Sequence, residues 1–132
     1  MAKKSRDKGK RGEREARDAA IQYWSADQDK CRRSAQSCGT FTADILDALP
    51  GGHVECKLYA RIPALDFLLQ AEADAGPTDL PIVLMREDGD KEWVVMFRMY
   101  NSSRFAASLE KAQEESRLRS IINGNPPEEP TK

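Results

Sequence analysis

The sequence predicts an α/β protein with a mixed central β-sheet flanked by helices. Three observations predict it. Apolar residues recur at helical spacing in three separated segments. Short apolar runs bounded by Gly, Pro and Asp turn signals lie between them. The resulting order is helix, three strands, helix, hairpin, helix, with no internal repeat.

The first helix is expected from Lys10 to about Trp24, where Ala16, Ala19, Ala20, Tyr23 and Trp24 would form a buried stripe. "SADQDK" is a polar turn, "CRRSAQS" a short strand, and "SCGTFTA" a loop around Gly39. "DILDAL" is the second strand, closed by the turn "PGG". "HVECKLYA" is the third, with His53, Glu55 and Lys57 on one face and Val54, Cys56 and Leu58 on the other. Pro63 suits the first turn of the helix "ALDFLLQAEADAG", which stops at Gly76-Pro77. "LPIVLMRE" and "EWVVMFRM" flank the hairpin signal "DGDK". "NSSRFAASLEKAQEESRLRSII" is the final helix, with a Ser or Asn cap and apolar positions at Phe105, Leu109 and Leu118. Phe67, Trp93 and Phe97 read as core.

At 132 residues the chain suits a single domain over residues 10–122, after a flexible basic arm (1–9) and before a disordered acidic tail (123–132). Hydrophobic content of 39% and charged content of 33% describe a polar globular protein. No apolar run approaches the roughly 18–20 residues a membrane span needs. The basic N-terminus leads into no apolar signal core, so a cytoplasmic location is expected. Cys31, Cys38 and Cys56 are odd in number and lack a C-x-x-C pair, which speaks against a disulfide framework or a four-ligand zinc site and for reduced packing residues.

The net charge of −1 is unevenly spread. Residues 1–33 carry a net +5, and residues 66–92 a net −6. A polyanion would meet the first segment; the alternative is a solubilising basic tail.

The chemistry lies around the PGG turn. Asp44 opens one strand, Glu55 and Lys57 share a face of the next, and a hairpin-like pairing would bring the two acids together. Paired carboxylates repel unless a cation lies between them, and hard oxygen ligands suit Mg²⁺. With a lysine beside them, such carboxylates suit phosphodiester hydrolysis. D-x₁₀-E-x-K alone matches often by chance in so charged a chain, and a surface ion pair on a solvated strand is the competing reading. The set gains weight from Glu13 in the basic segment "GKRGERE" upstream. Glu13 has its own alternative, an i,i+4 pair with Arg17. His53 shares the Glu55 face and reads as a solvated turn residue.

Taken together, "GKRGEREARDAA", "RRSAQS", "TADIL", "VECK" and "LLQAEADAG" resemble the PD-(D/E)XK nuclease superfamily, and within it the archaeal-type Holliday junction resolvases and their small bacteriophage relatives. The resemblance runs from about Lys8 to Met99 and implies a restriction-endonuclease-like core. It further implies an Mg²⁺-dependent endonuclease, with Mn²⁺ as a substitute, that acts on branched four-way DNA as a homodimer. Asp44 and Glu55 would be metal ligands with the backbone carbonyl of Cys56, and Glu13 would complete the metal site or orient a water. Lys57 would stand near the attacking water and scissile phosphate. Lys10, Arg11, Arg14, Arg33 and Ser34 would lie on the DNA path, and Gln70 would support the site. Ala43 stands where the family carries a proline, and the segment from Asp44 to Glu55 is short, which demands a tight turn at Pro50-Gly51-Gly52. The dimer contact would come from the final helix or the late hairpin. The alternatives are a same-fold nuclease cutting nicked, flapped or duplex DNA, and a non-catalytic DNA-binding protein.

Overall fold

The computed structural model describes residues 2–34 and 42–124. The chain is a mix of helices and small antiparallel sheets, broadly the α/β class expected. Its elements are α1 (Ala2–Trp24), β1 (Arg32–Arg33), β2 (Ile45–Leu46), α2 (Leu65–Asp74), β3 (Val83–Met85), β4 (Val94–Met96) and α3 (Ser102–Ile122), the last preceded by a 3₁₀ turn, Met99–Asn101. In place of one mixed central sheet, the described residues form two separate two-stranded antiparallel ladders, β1–β2 and β3–β4. The chain divides into two compact units, Met1–Gln70 and Ala71–Lys132. Among the described residues no helix is long and apolar enough to cross a membrane. Residues 35–41, which include Cys38 and the expected Gly39 loop, and residues 125–132 of the expected tail lie outside the described chain.

In the first unit, α1 starts at Ala2, not Lys10, so the expected basic arm is helical over its described length. Lys, Arg and Ala propagate a helix well even without an apolar stripe. Gly12 and Ala20 are the buried residues of α1, Ala16, Ala19 and Trp24 are half-buried, and Tyr23 is exposed. The helix stops where Ser25 takes φ 58°, which lets the Ala26 N–H return to the Ala20 carbonyl at 3.2 Å. Arg17 ties the following turn back to α1 through bonds to the carbonyls of Cys31 (2.7 Å) and Gln28 (2.9 Å).

β1 pairs with β2 in the register Arg32↔Leu46 and Arg33↔Ile45. Gly51 at φ +73° closes the PGG turn, with Gly52 N–H donating to the Leu49 carbonyl at 2.9 Å. The returning segment 53–60 is not the full strand expected. It meets β2 through a single bridge, Ile45↔Val54. The next ladder position is filled by a side chain, since the Asp44 carboxylate accepts the Cys56 N–H at 2.8 Å. The described core of this unit is thin: Ala20, Cys31, Ala43, Ile45, Ala48 and Leu68 are buried, and only Ile45 and Leu68 are large. Phe67, expected as core, is 61% exposed because Leu68 takes the inward position on α2.

Gly12 marks where α1 meets the 53–60 segment. A Cβ there would lie 2.9 Å from Leu58 Cβ, whereas one at Gly9 would meet nothing within 4 Å. Both residues sit inside the same helix, where Gly→Ala alone is worth about 0.5–1 kcal/mol of stabilisation. Gly9→Ala is therefore expected to raise the melting temperature. Gly12→Ala is expected to lower it, because a Cβ–Cβ clash needs backbone movement to relieve. Paired thermal melts test this, and a stabilising Gly12→Ala would remove the close contact.

In the second unit, β3 and β4 pair in the register Val83↔Met96, Leu84↔Val95, Met85↔Val94, and Gly89 at φ +87° turns the hairpin. Trp93, expected as core, is 59% exposed and lies under the Arg86 guanidinium, 5.0 Å from its ring centre. Phe97 is half-buried and stacks on Phe105 at 4.5 Å. Asn101 precedes α3 but makes no side-chain cap bond; instead its Oδ1 accepts from Arg104 at 3.3 Å. α3 has no buried residue. Phe105 and Leu109 share a side, but Leu118 is about 140° around the helix from Phe105, so no single apolar seam forms.

Glu72 and Arg98 bind through two bonds, at 2.8 and 3.2 Å, with side chains one-quarter to one-third exposed. The Arg98 hydrogen bonds hold the Glu72 carboxyl below the usual range, aided by the Arg98 charge and the Tyr100 hydroxyl. A carboxyl depressed in the folded state contributes stability above its unfolded pKa, about 4.3, and that contribution fades as pH falls through the folded value. The melting-temperature difference between parent and Glu72→Gln should thus be present at pH 6 and shrink below about pH 4. A difference that is constant down to acid pH would rule out the charged pair as its source. Solvent screening keeps the effect small.

Candidate active site

The acids singled out in the sequence lie in the first unit, on three elements. Glu13 sits mid-way along α1, half-buried. Its Oε2 accepts from Arg33 Nε of β1 at 2.8 Å, with the two side chains 26% and 28% exposed. The alternative partner Arg17 is turned away to Gln28 and Cys31. Arg33 therefore bonds an acid of the site itself.

Asp44 is held from both sides. Its carbonyl accepts the Ser34 N–H beside β1 at 3.0 Å, and its own N–H donates to Val54 at 2.9 Å. Its Oδ2 takes the Cys56 N–H at 2.8 Å. The PGG turn thus returns the chain so that Asp44 lies against the segment bearing Glu55, Cys56 and Lys57, and the contact made is to the Cys56 N–H. Ser34 enters this group through its backbone.

The alternation along this segment is partly preserved. Val54 and Cys56 are half-buried, Glu55 and Lys57 exposed, while Leu58, expected inside, is 36% exposed. The Cys56 thiol is pushed up, first by burial and then by the charges of Asp44 and Glu13, with Lys57 opposing. Glu55 is bonded elsewhere: its Oε1 lies 2.8 Å from His53 Nε2. His53, read from sequence as a solvated turn residue, is indeed exposed, and the sequence reading did not foresee its bond to Glu55. The signal for it was present in H-x-E, which sets both side chains on one strand face.

The remaining predicted residues are placed by their elements and exposure. Lys10 is half-buried, while Arg11 and Arg14 are exposed on α1; Arg11 is 3.9 Å from Glu15. Gln70 is exposed on α2. Three carboxylates and a main-chain carbonyl are an all-oxygen donor set, and that chemistry fits a hard divalent cation. As arranged, however, Glu13 and Glu55 are each bonded to a basic side chain. Among the described residues no three His, Cys, Asp or Glu side chains converge on one point that could hold a metal.

No protein-family model matches the chain, and no curated protein or solved structure matches it.

Proposed function

We propose that this protein is a metal-dependent DNA endonuclease of the PD-(D/E)XK type that resolves four-way junctions in the cytoplasm. The observation that carries the reading is the position of Asp44, bonded through its N–H and its carboxylate to the segment carrying Glu55, Cys56 and Lys57. The ordered motifs of the sequence add the family likeness. Asp44, Glu55, Glu13 and the Cys56 carbonyl are the groups that would hold Mg²⁺ or Mn²⁺, which supplies charge neutralisation and a more acidic water at the phosphate.

The chain's own residues have separate tasks. Lys57, exposed two residues after Glu55, offers an ammonium to the developing charge on the phosphate. Lys10, Arg11, Arg14, Arg33 and Ser34 contact the DNA backbone and position it without reading sequence. Glu13 orients the site from α1, and Gln70 supports it. Symmetric resolution of a junction needs two such sites, so the working form is a homodimer.

The test is cleavage of a synthetic four-way junction by the purified protein with Mg²⁺ or Mn²⁺. Paired symmetric nicks, with linear duplex spared and with activity lost in Glu55→Ala and Lys57→Ala, are expected. Cleavage of flaps or duplex instead would keep the nuclease and replace the substrate. No cleavage, or parental cleavage by both variants, would leave a non-catalytic DNA-binding protein.

A further inference from the structure

We propose that the cleft between the 24–30 turn and the PGG turn receives one unpaired nucleotide of the bound DNA, with its base stacked on Trp24 and its phosphate at Lys30. The inference rests on the proposed function for its DNA, but concerns which DNA structure is held rather than how a phosphodiester is cut.

The cleft lies wholly within the first unit and has a volume of about 480 Å³, inside the roughly 300–1,000 Å³ of small-molecule sites. Its lining comes from two segments: Trp24, Asp27 and Lys30 from the turn after α1, and residues 47–52 from the end of β2 through the PGG turn. Both segments are held in place. Arg17 ties the first to α1 through the Gln28 and Cys31 carbonyls, and Gly52 N–H closes the second on the Leu49 carbonyl. The Arg32↔Leu46 pairing joins the two segments to each other.

The lining offers a group for each part of a nucleotide. Trp24 is half-buried, and an indole face stacks any base. Lys30 is exposed, and among the described residues its ammonium makes no ion pair, so it presents a compact charge to a phosphate. Of the two acids, Asp27 already accepts the Asp29 N–H at 2.8 Å. Asp47 is 3.9 Å from Arg32 Nη1, beyond hydrogen-bond distance, so its carboxylate can accept from N–H groups on a base edge. A base inside a duplex cannot reach an indole in this way, and extrusion costs least where the base is already unpaired. The cleft therefore favours interrupted or branched DNA over continuous duplex. Asp44 and Asp47 are three residues apart, so their Cα atoms are separated by no more than about 11 Å. A nucleotide seated in the cleft thus belongs to DNA that passes the candidate active site.

The test is binding of the full chain in EDTA to two synthetic probes, a duplex with one unpaired adenine and the same duplex fully paired. The parent should bind the first more tightly. Trp24→Ala should weaken that binding about 5- to 100-fold, the loss of one base–aromatic stack, while Trp24→Phe keeps most of it. Lys30→Gln should also weaken it and reduce the salt slope by about 1. In Trp93→Phe, Trp24 is the only tryptophan left, and the first probe alone should quench its emission. Equal parental affinity for the two probes, or unchanged Trp24 emission, overturns the proposal. If Trp24→Ala lowers helicity, Lys30→Gln decides, and a parental affinity and salt slope there overturns it. Cleavage with Mg²⁺ separates the two levels of inference. Selective binding without any cleavage leaves the cleft and removes the nuclease, whereas junction cleavage with equal binding of the probes removes only the cleft.

Discussion

Asp44→Asn is expected to lower Mg²⁺-dependent junction cleavage by about 10²–10³-fold, the range seen when one electrostatic group of a preorganised site is removed. The substitution is chosen because it separates charge from structure. The Asp44 carboxylate accepts the Cys56 N–H, and an asparagine oxygen can accept the same bond. The backbone bonds to Val54 and Ser34 do not involve the side chain. Helicity and melting temperature should therefore stay near the parent while single-turnover cleavage collapses. An asparagine variant that cuts at the parental rate would return Asp44 to a purely structural role, capping the 53–57 backbone.

Ile45→Ala should produce the largest loss of stability in the first unit. Ile45 is 1% exposed, and the other buried apolar residues of its unit, Ala20, Ala43, Ala48, Cys31 and Leu68, are mostly too small to fill the space it would leave. Large-to-Ala changes at such sites cost about 2–5 kcal/mol, and Ile→Val about 0.5–1.5. Against a typical total of about 5–15 kcal/mol, the first value is a large share. The midpoint of urea unfolding should drop sharply for Ile45→Ala and slightly for Ile45→Val. Ile45 also bonds to Val54, next to the Asp44 contact, so cleavage should fall as the bridge loosens. Equal unfolding midpoints for the alanine variant and the parent would show that the core lies elsewhere.

The element order was legible because it is written in local patterns. Alanine spacing marked α1, PGG and DGDK marked two turns, and the tight turn before E-x-K set the segment bearing Glu55 and Lys57 against Asp44. These signals depend on neighbours a few residues away, where sterics and turn geometry decide. The same local logic misjudged extent. Helix propensity carried α1 back to Ala2, and the Asp44 side chain replaced a ladder bond that the strand pattern of 53–60 implied. It also misplaced Trp93 and Phe67, since hydrophobicity alone does not say which side of an element faces a core.

What the sequence by itself determined is therefore the inventory: a basic helix bearing Glu13, an aspartate at a strand start, and a lysine two residues after a glutamate across a glycine turn. Only the tertiary structure decided the partners. Arg17 is four residues from Glu13, yet it bonds the carbonyls of the 25–31 turn, and Arg33, twenty residues along the chain, takes the carboxylate. Helical spacing permits the nearer pair, but β1 docks against α1 and brings a guanidinium within 2.8 Å in a shielded place. There the bond formed depends on which groups the fold brings together, a property that no spacing along the chain records.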